Sequence, residues 1–184
     1  MKLVVMMAIF LILMERLSKA IATSNIYYSW KNTMVAIGIY SCLSMALGWK
    51  TGFLIWQPQP SKTLVKIIAT SLIAPAIVEE LFFRVILLPS PTDNLPFPTY
   101  FIRSLFGLCL FVIYHPLNAI TFFPQGKTTF FDPIFLTLAT ALGIICTWSY
   151  WHTGSLWLPV IIHWLTVVLW LSCFGGYEKL AWDR

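Results

Sequence analysis

Charged residues are scarce in this chain, and this scarcity limits most strongly what it can fold into. Only 10% of the 184 residues are charged and 59% are hydrophobic, whereas water-soluble domains are about 25% charged. So few charges cannot cover a surface that faces water, and we therefore expect the lipid bilayer to be the solvent. The net charge of +5 is scattered along the chain, and without a basic block we expect no nucleic-acid partner.

The apolar stretches predict an all-α membrane protein, a bundle of about six transmembrane helices, since each span needs roughly 20 mostly apolar residues. We place the spans at Leu3–Ala22, Thr33–Trp56, Leu64–Leu88, Thr99–His115, Pro133–Trp151 and Ser155–Phe174. The prolines of Ser90–Pro98 predict a loop, because proline fixes φ and removes a backbone donor. With six spans, seven Lys and Arg residues face one side and four the other, which favours a multi-pass protein with both termini in the cytoplasm.

Three charged residues depart from this pattern because they lie inside an apolar run. Glu79, Glu80 and Arg84 fall within residues 67–88, where each charge costs about 2.5–3.5 kcal/mol at mid-helix. Glu80 and Arg84 are four residues apart, so they share a helix face and can pair. Glu79 points about 100° away and has no evident partner on its own helix. Buried carboxylates of this kind are candidate general bases.

Two histidines in predicted spans extend the candidate site. His115 shares a helix face with Phe111, and His163 lies in a later span. From a rise of about 1.5 Å per residue, Glu79 and His163 reach similar depths, roughly 12–14 Å from one membrane face, and His115 lies somewhat deeper. Each histidine alone is also consistent with a core residue that is satisfied by hydrogen bonds. Their position beside an intramembrane glutamate favours a shared functional site.

These residues resemble three motifs of the CPBP family, the CAAX proteases and bacteriocin-processing enzymes, also called the Abi family. Residues 79–84 read EELFFR and match EExxxR, and residues 111–115 read FVIYH and match FxxxH. Residues 154–163 resemble the third, histidine-bearing motif. The resemblance covers roughly residues 64–174, which we expect to form a CPBP-like catalytic helical core. Residues 1–63 would be N-terminal helices without specific motifs, and residues 175–184 a short C-terminal tail.

The resemblance implies an intramembrane endopeptidase similar to CAAX-processing proteases, acting on a membrane-associated peptide or protein. Glu79 and His115 would activate a water molecule, and His163 would stabilise the oxyanion. Glu80, Arg84 and Phe111 would support the site. The family was historically described as metalloproteases, and the resemblance now favours a metal-free, glutamic-type mechanism with no cofactor. One zinc ion bound by Glu79, His115 and His163 is the alternative, because such a ligand set leaves an open position for water.

Position 167 departs from the family pattern. Members commonly carry Asn or a similar polar residue four positions after the motif-three histidine, and this chain has Val167 there. Loss of an oxyanion donor costs about 10²–10³ in rate. The adjacent Thr166 is expected to point elsewhere on the helix. His163 therefore acts alone, or another donor substitutes, or the protein is a non-catalytic relative.

Two other classes of function use the same residues. The first is a membrane scaffold or assembly partner with a relic protease site, which Val167 and the short loops favour. The second is an ion or proton carrier, which would move protons through the buried glutamates and histidines without cleaving peptides.

Overall fold

The computed structural model describes residues 2–23 and 30–182 of the chain, and its regular structure is helical. Among these residues the only strand-like pairing is a parallel bridge between Gln57 and Phe174. The helices are α1 (Lys2–Ala22), α2 (Trp30–Lys50), α3 (Ser61–Ser71), α4 (Val78–Glu80), α5 (Phe97–Thr121), α6 (Lys127–Phe130), α7 (Pro133–Thr153), α8 (Trp157–Cys173) and α9 (Gly176–Leu180). The prediction of an all-α fold is confirmed.

The helix that carries the EELFFR segment is interrupted, whereas a continuous span over Leu64–Leu88 was expected. Two π-helical segments, Leu72–Ile77 and Leu81–Ile86, flank the single turn of α4. Ala74 has an extended backbone, with φ −129° and ψ 116°, directly before Pro75. Proline removes a helical hydrogen bond and clashes with the preceding turn, so the helix breaks here. The break redirects the backbone just before Glu79, and π-helical turns lie on both sides of it; such turns recur at functional sites.

Two predicted helix ends were wrong for identifiable reasons. The second helix ends at Lys50 rather than at Trp56, because Gly52 adopts a left-handed φ of 70°. The fourth was expected to stop at His115 but continues to Thr121, with Pro116 inside it. Since α5 extends past the proline, His115 lies well inside a helix rather than at its end.

The connection between α7 and α8 is short and well defined, and it sets the direction of the helix that carries His163. Asp132 caps the start of α7, its Oδ1 accepting a hydrogen bond from the Ile134 N–H at 2.7 Å. Gly154 ends α7 with φ 66°, the left-handed conformation that glycine adopts freely at helix ends. α7 packs against α8, α5 and α2, and α3 packs against α8. α7 therefore lies at the centre of the bundle.

The surface of the bundle is apolar over much of its area, as a lipid-facing surface should be. Large apolar side chains such as Phe10, Leu43, Ile102 and Phe122 are more than 60% exposed. Within the described chain, α5 and α7 are long and apolar enough to span a membrane, and α8 is apolar but shorter, with 17 residues. The figure of six spans therefore stays a prediction.

Candidate active site

The site is anchored by a fully buried ion pair. Nε of Arg84 lies 3.0 Å from Oε2 of Glu80, and neither side chain is exposed. The pair predicted from their four-residue spacing is therefore present. Arg84 also donates from Nη2 to the carbonyl oxygen of Gly143 in α7, at 3.4 Å. This contact ties the EELFFR segment to the central helix of the bundle.

Glu80 binds a second partner that the sequence did not reveal. Its Oε1 accepts a hydrogen bond from Nδ1 of His163 at 2.8 Å. A carboxylate can only accept, so Nδ1 carries the proton in this contact. Glu80 is therefore held by Arg84 through one oxygen and holds His163 through the other. Nε2 of His163 is left facing Glu79, 4.0 Å from its Oε2.

Phe111 fills the space between the charged pair and the two histidines. The Arg84 guanidinium carbon lies 5.1 Å from the centre of the Phe111 ring, a cation–π contact. The edge-on rings of His115 and His163 lie 5.0 Å and 6.1 Å from the same ring. Phe111 is fully buried, so it fixes the relative positions of Arg84, His115 and His163 by packing.

His115 is oriented by its own helix. Its Nδ1 lies 2.9 Å from the carbonyl oxygen of Phe111, one turn earlier. A carbonyl oxygen accepts, so Nδ1 donates and Nε2 is the free nitrogen of the ring. The rings of Phe130 and Phe135 also pack edge-on against His115, at 5.7 Å and 5.2 Å.

A single cavity of about 570 Å³ connects these groups. Glu79, His115 and His163 all line it, although they come from three separate helices. The three predicted site residues are therefore brought together, and the somewhat greater depth expected for His115 does not keep it from the same cavity. Glu79 is 8% exposed, and its Oε2 makes no hydrogen bond to any described part of the chain.

The geometry does not present a ready-made metal site. Across the described residues, no group of three or more His, Cys, Asp and Glu side chains is arranged to hold a metal ion. Nδ1 of each histidine is engaged, one with a backbone carbonyl and one with Glu80, which leaves Nε2 of each ring free, as in histidines that bind a metal through that nitrogen. The zinc ion at Glu79, His115 and His163 therefore stays the alternative to a metal-free site.

Several polar residues of the cavity were missed. Thr166 was expected to point away, but it lines the cavity, as does Val167. From α2, which carries no recognisable motif, Tyr40, Ser41 and Ser44 also line it. Helical spacing from His163 identifies position 167, but no sequence signal shows which face of α2 meets α7 and α8.

A membrane protein is indicated by the apolar all-helical bundle, and its buried Glu79, His115 and His163 line one cavity. Residues of these types are the ones that acid–base hydrolases use. The comparison with family models gives the family. A model described as Type II CAAX prenyl endopeptidase Rce1-like matches residues 60–169, more than half of the chain. The chain belongs to this family, and the resemblance inferred from the three motifs is confirmed.

This family membership makes the protein an integral membrane protein of the CAAX-type intramembrane protease group. A comparison with curated proteins found no match, and a comparison with solved structures found none either.

Proposed function

We propose that the protein is a glutamic-type intramembrane endopeptidase in which Glu79 is the general base. The observation that carries the proposal is the position of its carboxylate. Glu79 lines the cavity, and its buried Oε2 has no hydrogen-bond partner among the described residues and is 4.0 Å from Nε2 of His163. A buried carboxylate that lines a cavity and has an oxygen without a partner is placed to accept a proton from a bound water molecule.

His115 is proposed to hold the same water molecule. Because its Nδ1 donates to the Phe111 carbonyl, its Nε2 carries a lone pair and accepts hydrogen bonds. A water molecule has two O–H groups, and Glu79 and His115 supply one acceptor for each. The oxygen lone pair of the water then remains free to attack the carbonyl carbon of a peptide bond.

His163 is proposed to act in the opposite sense, as a donor. Its Nδ1–H is bound by a carboxylate rather than by a neutral carbonyl, and this negative charge favours a ring that is protonated on both nitrogens. The Nε2–H would then donate to the oxygen on which negative charge develops in the transition state. The two histidines thus differ in role because Phe111 and Glu80 offer them different partners.

The reaction follows from these assignments. The water oxygen bonds to the carbonyl carbon as Glu79 takes its proton, and the C=O electron pair moves to the oxygen bound by His163. When the C=O bond reforms, the C–N bond breaks and Glu79 passes the proton to the departing amine. One peptide and one water molecule become a carboxylic acid and an amine, and the enzyme is regenerated. Glu80, Arg84 and Phe111 hold the reacting groups in place.

The proposed substrate is a membrane-associated peptide or protein, which reaches the site from the bilayer. Most of the cavity wall is apolar, with side chains such as Leu138, Leu142 and Leu169. Lys and Arg residues are in excess on one side of the predicted spans. We therefore also propose that the protein is multi-pass and has both termini in the cytoplasm.

Proteolysis by the purified protein tests the proposal. The wild type and Glu79→Gln are incubated with membrane peptides in detergent, and Glu15→Gln serves as the matched control because Glu15 is exposed and pairs with Lys19. Wild type and Glu15→Gln should cleave, and a folded Glu79→Gln should not, since an amide cannot take the proton. Full turnover by Glu79→Gln would exclude Glu79 as the base. Proton flux without cleavage would favour the carrier, and the absence of both proton flux and cleavage would favour the scaffold with a relic site.

A further inference from the structure

The cavity contains hydroxyl groups that have no role in the proposed mechanism. Position 167, where the family commonly has a polar residue and this chain has Val, lines the same cavity. Val167 lines the cavity one turn beyond His163, and its side chain cannot donate a hydrogen bond. Thr166 and Tyr40 line the same cavity. Either hydroxyl has the chemistry that a neutral donor at position 167 would have supplied.

Thr166 is already committed to its own helix. Its Oγ1 donates to the carbonyl oxygen of Ile162 at 2.8 Å, the usual back-bond of a helical threonine. The single hydroxyl proton is used in this bond, so only the oxygen lone pairs of Thr166 face outward. Thr166 is therefore an acceptor for a neighbouring group and not a donor to a substrate.

Tyr40 carries the other hydroxyl. It lines the cavity from α2, and its ring packs against the buried cluster that contains Leu142 and Ile162, the latter being the residue before His163 in α8. The ring is thus fixed by packing, whereas the O–H bond can rotate toward an acceptor in the cavity without moving the ring.

We propose that Tyr40 is a second oxyanion donor, acting from α2 in place of the polar residue that α8 lacks at position 167. This inference rests on the proposed function. As the water oxygen bonds to the carbonyl carbon and the C=O pair moves to oxygen, the Tyr40 O–H donates a hydrogen bond to that oxygen beside Nε2–H of His163. No proton is transferred from Tyr40, and the bond is released when C=O reforms and C–N breaks.

Asn118 is another neutral donor in the cavity, but it fits the role less well. It lies on α5 one turn after His115, and so it extends the side of the site that holds the attacking water. Tyr40 instead adjoins the helix of His163. A donor for the oxyanion belongs on the His163 side, because water and oxyanion lie on different sides of the carbonyl carbon.

The test combines removal of the hydroxyl with restoration of a donor at position 167. Single-turnover cleavage of a membrane peptide is measured for wild type, Tyr40→Phe, Val167→Asn and the double variant. Tyr100→Phe is the matched control, because the Tyr100 hydroxyl is buried without a partner among the described residues and lies outside the cavity. Thermal unfolding in detergent checks that each variant folds.

Tyr40→Phe should lower the rate of the chemical step about 10–100-fold with little change in substrate binding, since the donor acts on charge present only in the transition state. The double variant should cleave about tenfold faster than Tyr40→Phe alone. Val167→Asn alone should change the wild-type rate by less than about threefold, because the Tyr40 donor is already present in the wild type. Tyr100→Phe should cleave like wild type. If Tyr40 had only a structural role, a donor introduced in α8 by Val167→Asn would not restore the cleavage rate of Tyr40→Phe.

Two results would overturn this inference and leave the proposed function standing. One is a folded Tyr40→Phe that cleaves at the wild-type rate while Glu79→Gln is inactive. The other is a loss in Tyr40→Phe that Val167→Asn does not reverse, which would assign the hydroxyl to helix packing. Absence of any Glu79-dependent cleavage by the wild type would instead overturn the proposed function, and this inference with it.

Discussion

Nδ1 of His163 lies 2.8 Å from Oε1 of Glu80, across 83 residues of sequence. The second glutamate of the EELFFR segment thus does more than neutralise Arg84, because it also orients the histidine that faces Glu79. The Glu80 carboxylate thereby contacts both Arg84 and His163, and His163 lines the cavity.

Arg84→Ala should destabilise the fold strongly. Glu80 and Arg84 are both fully buried, and removal of one partner of a buried pair strands the other charge, at a cost of about 3–5 kcal/mol. Thermal and denaturant unfolding in detergent measure the loss. Arg103→Ala is the control, because Arg103 is exposed and its truncation should change the stability by about 0.5 kcal/mol or less. Equal melting temperatures for Arg84→Ala and wild type would contradict the prediction.

Glu80→Gln should slow catalysis while leaving Glu79 intact. The amide oxygen still accepts a hydrogen bond from Nδ1 of His163, but the negative charge that favours a doubly protonated ring is lost. Because the change also leaves the buried charge of Arg84 unpaired, thermal unfolding in detergent first identifies the conditions in which the variant is folded. We expect the turnover number to fall by about tenfold or more, with a smaller change in the Michaelis constant. Steady-state kinetics separate the two constants, and Glu178→Gln at an exposed position is the control. Unaltered turnover would show that the charge of Glu80 does not act through His163.

Gly143→Ala should loosen the contact between α7 and α5. A Cβ at Gly143 would lie 2.6 Å from Leu108 and 3.0 Å from the Phe111 ring, and the ring cannot yield without disturbing Arg84 and both histidines. Overpacking of this kind costs about 1–3 kcal/mol. Gly38→Ala is the control, since a Cβ there meets no described atom within 4 Å and alanine favours the helix. The two variants should shift the melting temperature in opposite directions, and equal shifts would count against this role for Gly143.

Chelation should leave proteolysis intact. If Glu79 is the base of a metal-free reaction, purified active protein should contain no stoichiometric zinc, and incubation with a chelator should not change its rate. Elemental analysis and activity are measured on the same sample before and after dialysis against the chelator. About one zinc per chain, lost together with activity and restored by added zinc, would favour the site at Glu79, His115 and His163 instead.

Much of the candidate site was predictable because charged residues are rare inside membrane spans. A charge inside an apolar run is costly, so Glu79, Glu80 and Arg84 are visible in the sequence. The Glu80–Arg84 pair follows from their spacing on one helix. The break at Ala74 was not predicted, although Pro75 was visible, because a proline within an apolar run is consistent with either a kink or a break.

The sequence by itself determined that the chain is an all-helical membrane protein and which charged residues and histidines are candidates for its site. Scarcity of charge and the cost of burying it are local properties of the chain, so no tertiary structure is needed to infer them. Only the tertiary structure decided that Glu80 holds His163 and that Tyr40 of α2 joins the cavity. These contacts depend on how α2 and α8 rotate and pack against α7, and nearly uniform apolar helices carry no periodic signal that fixes that rotation.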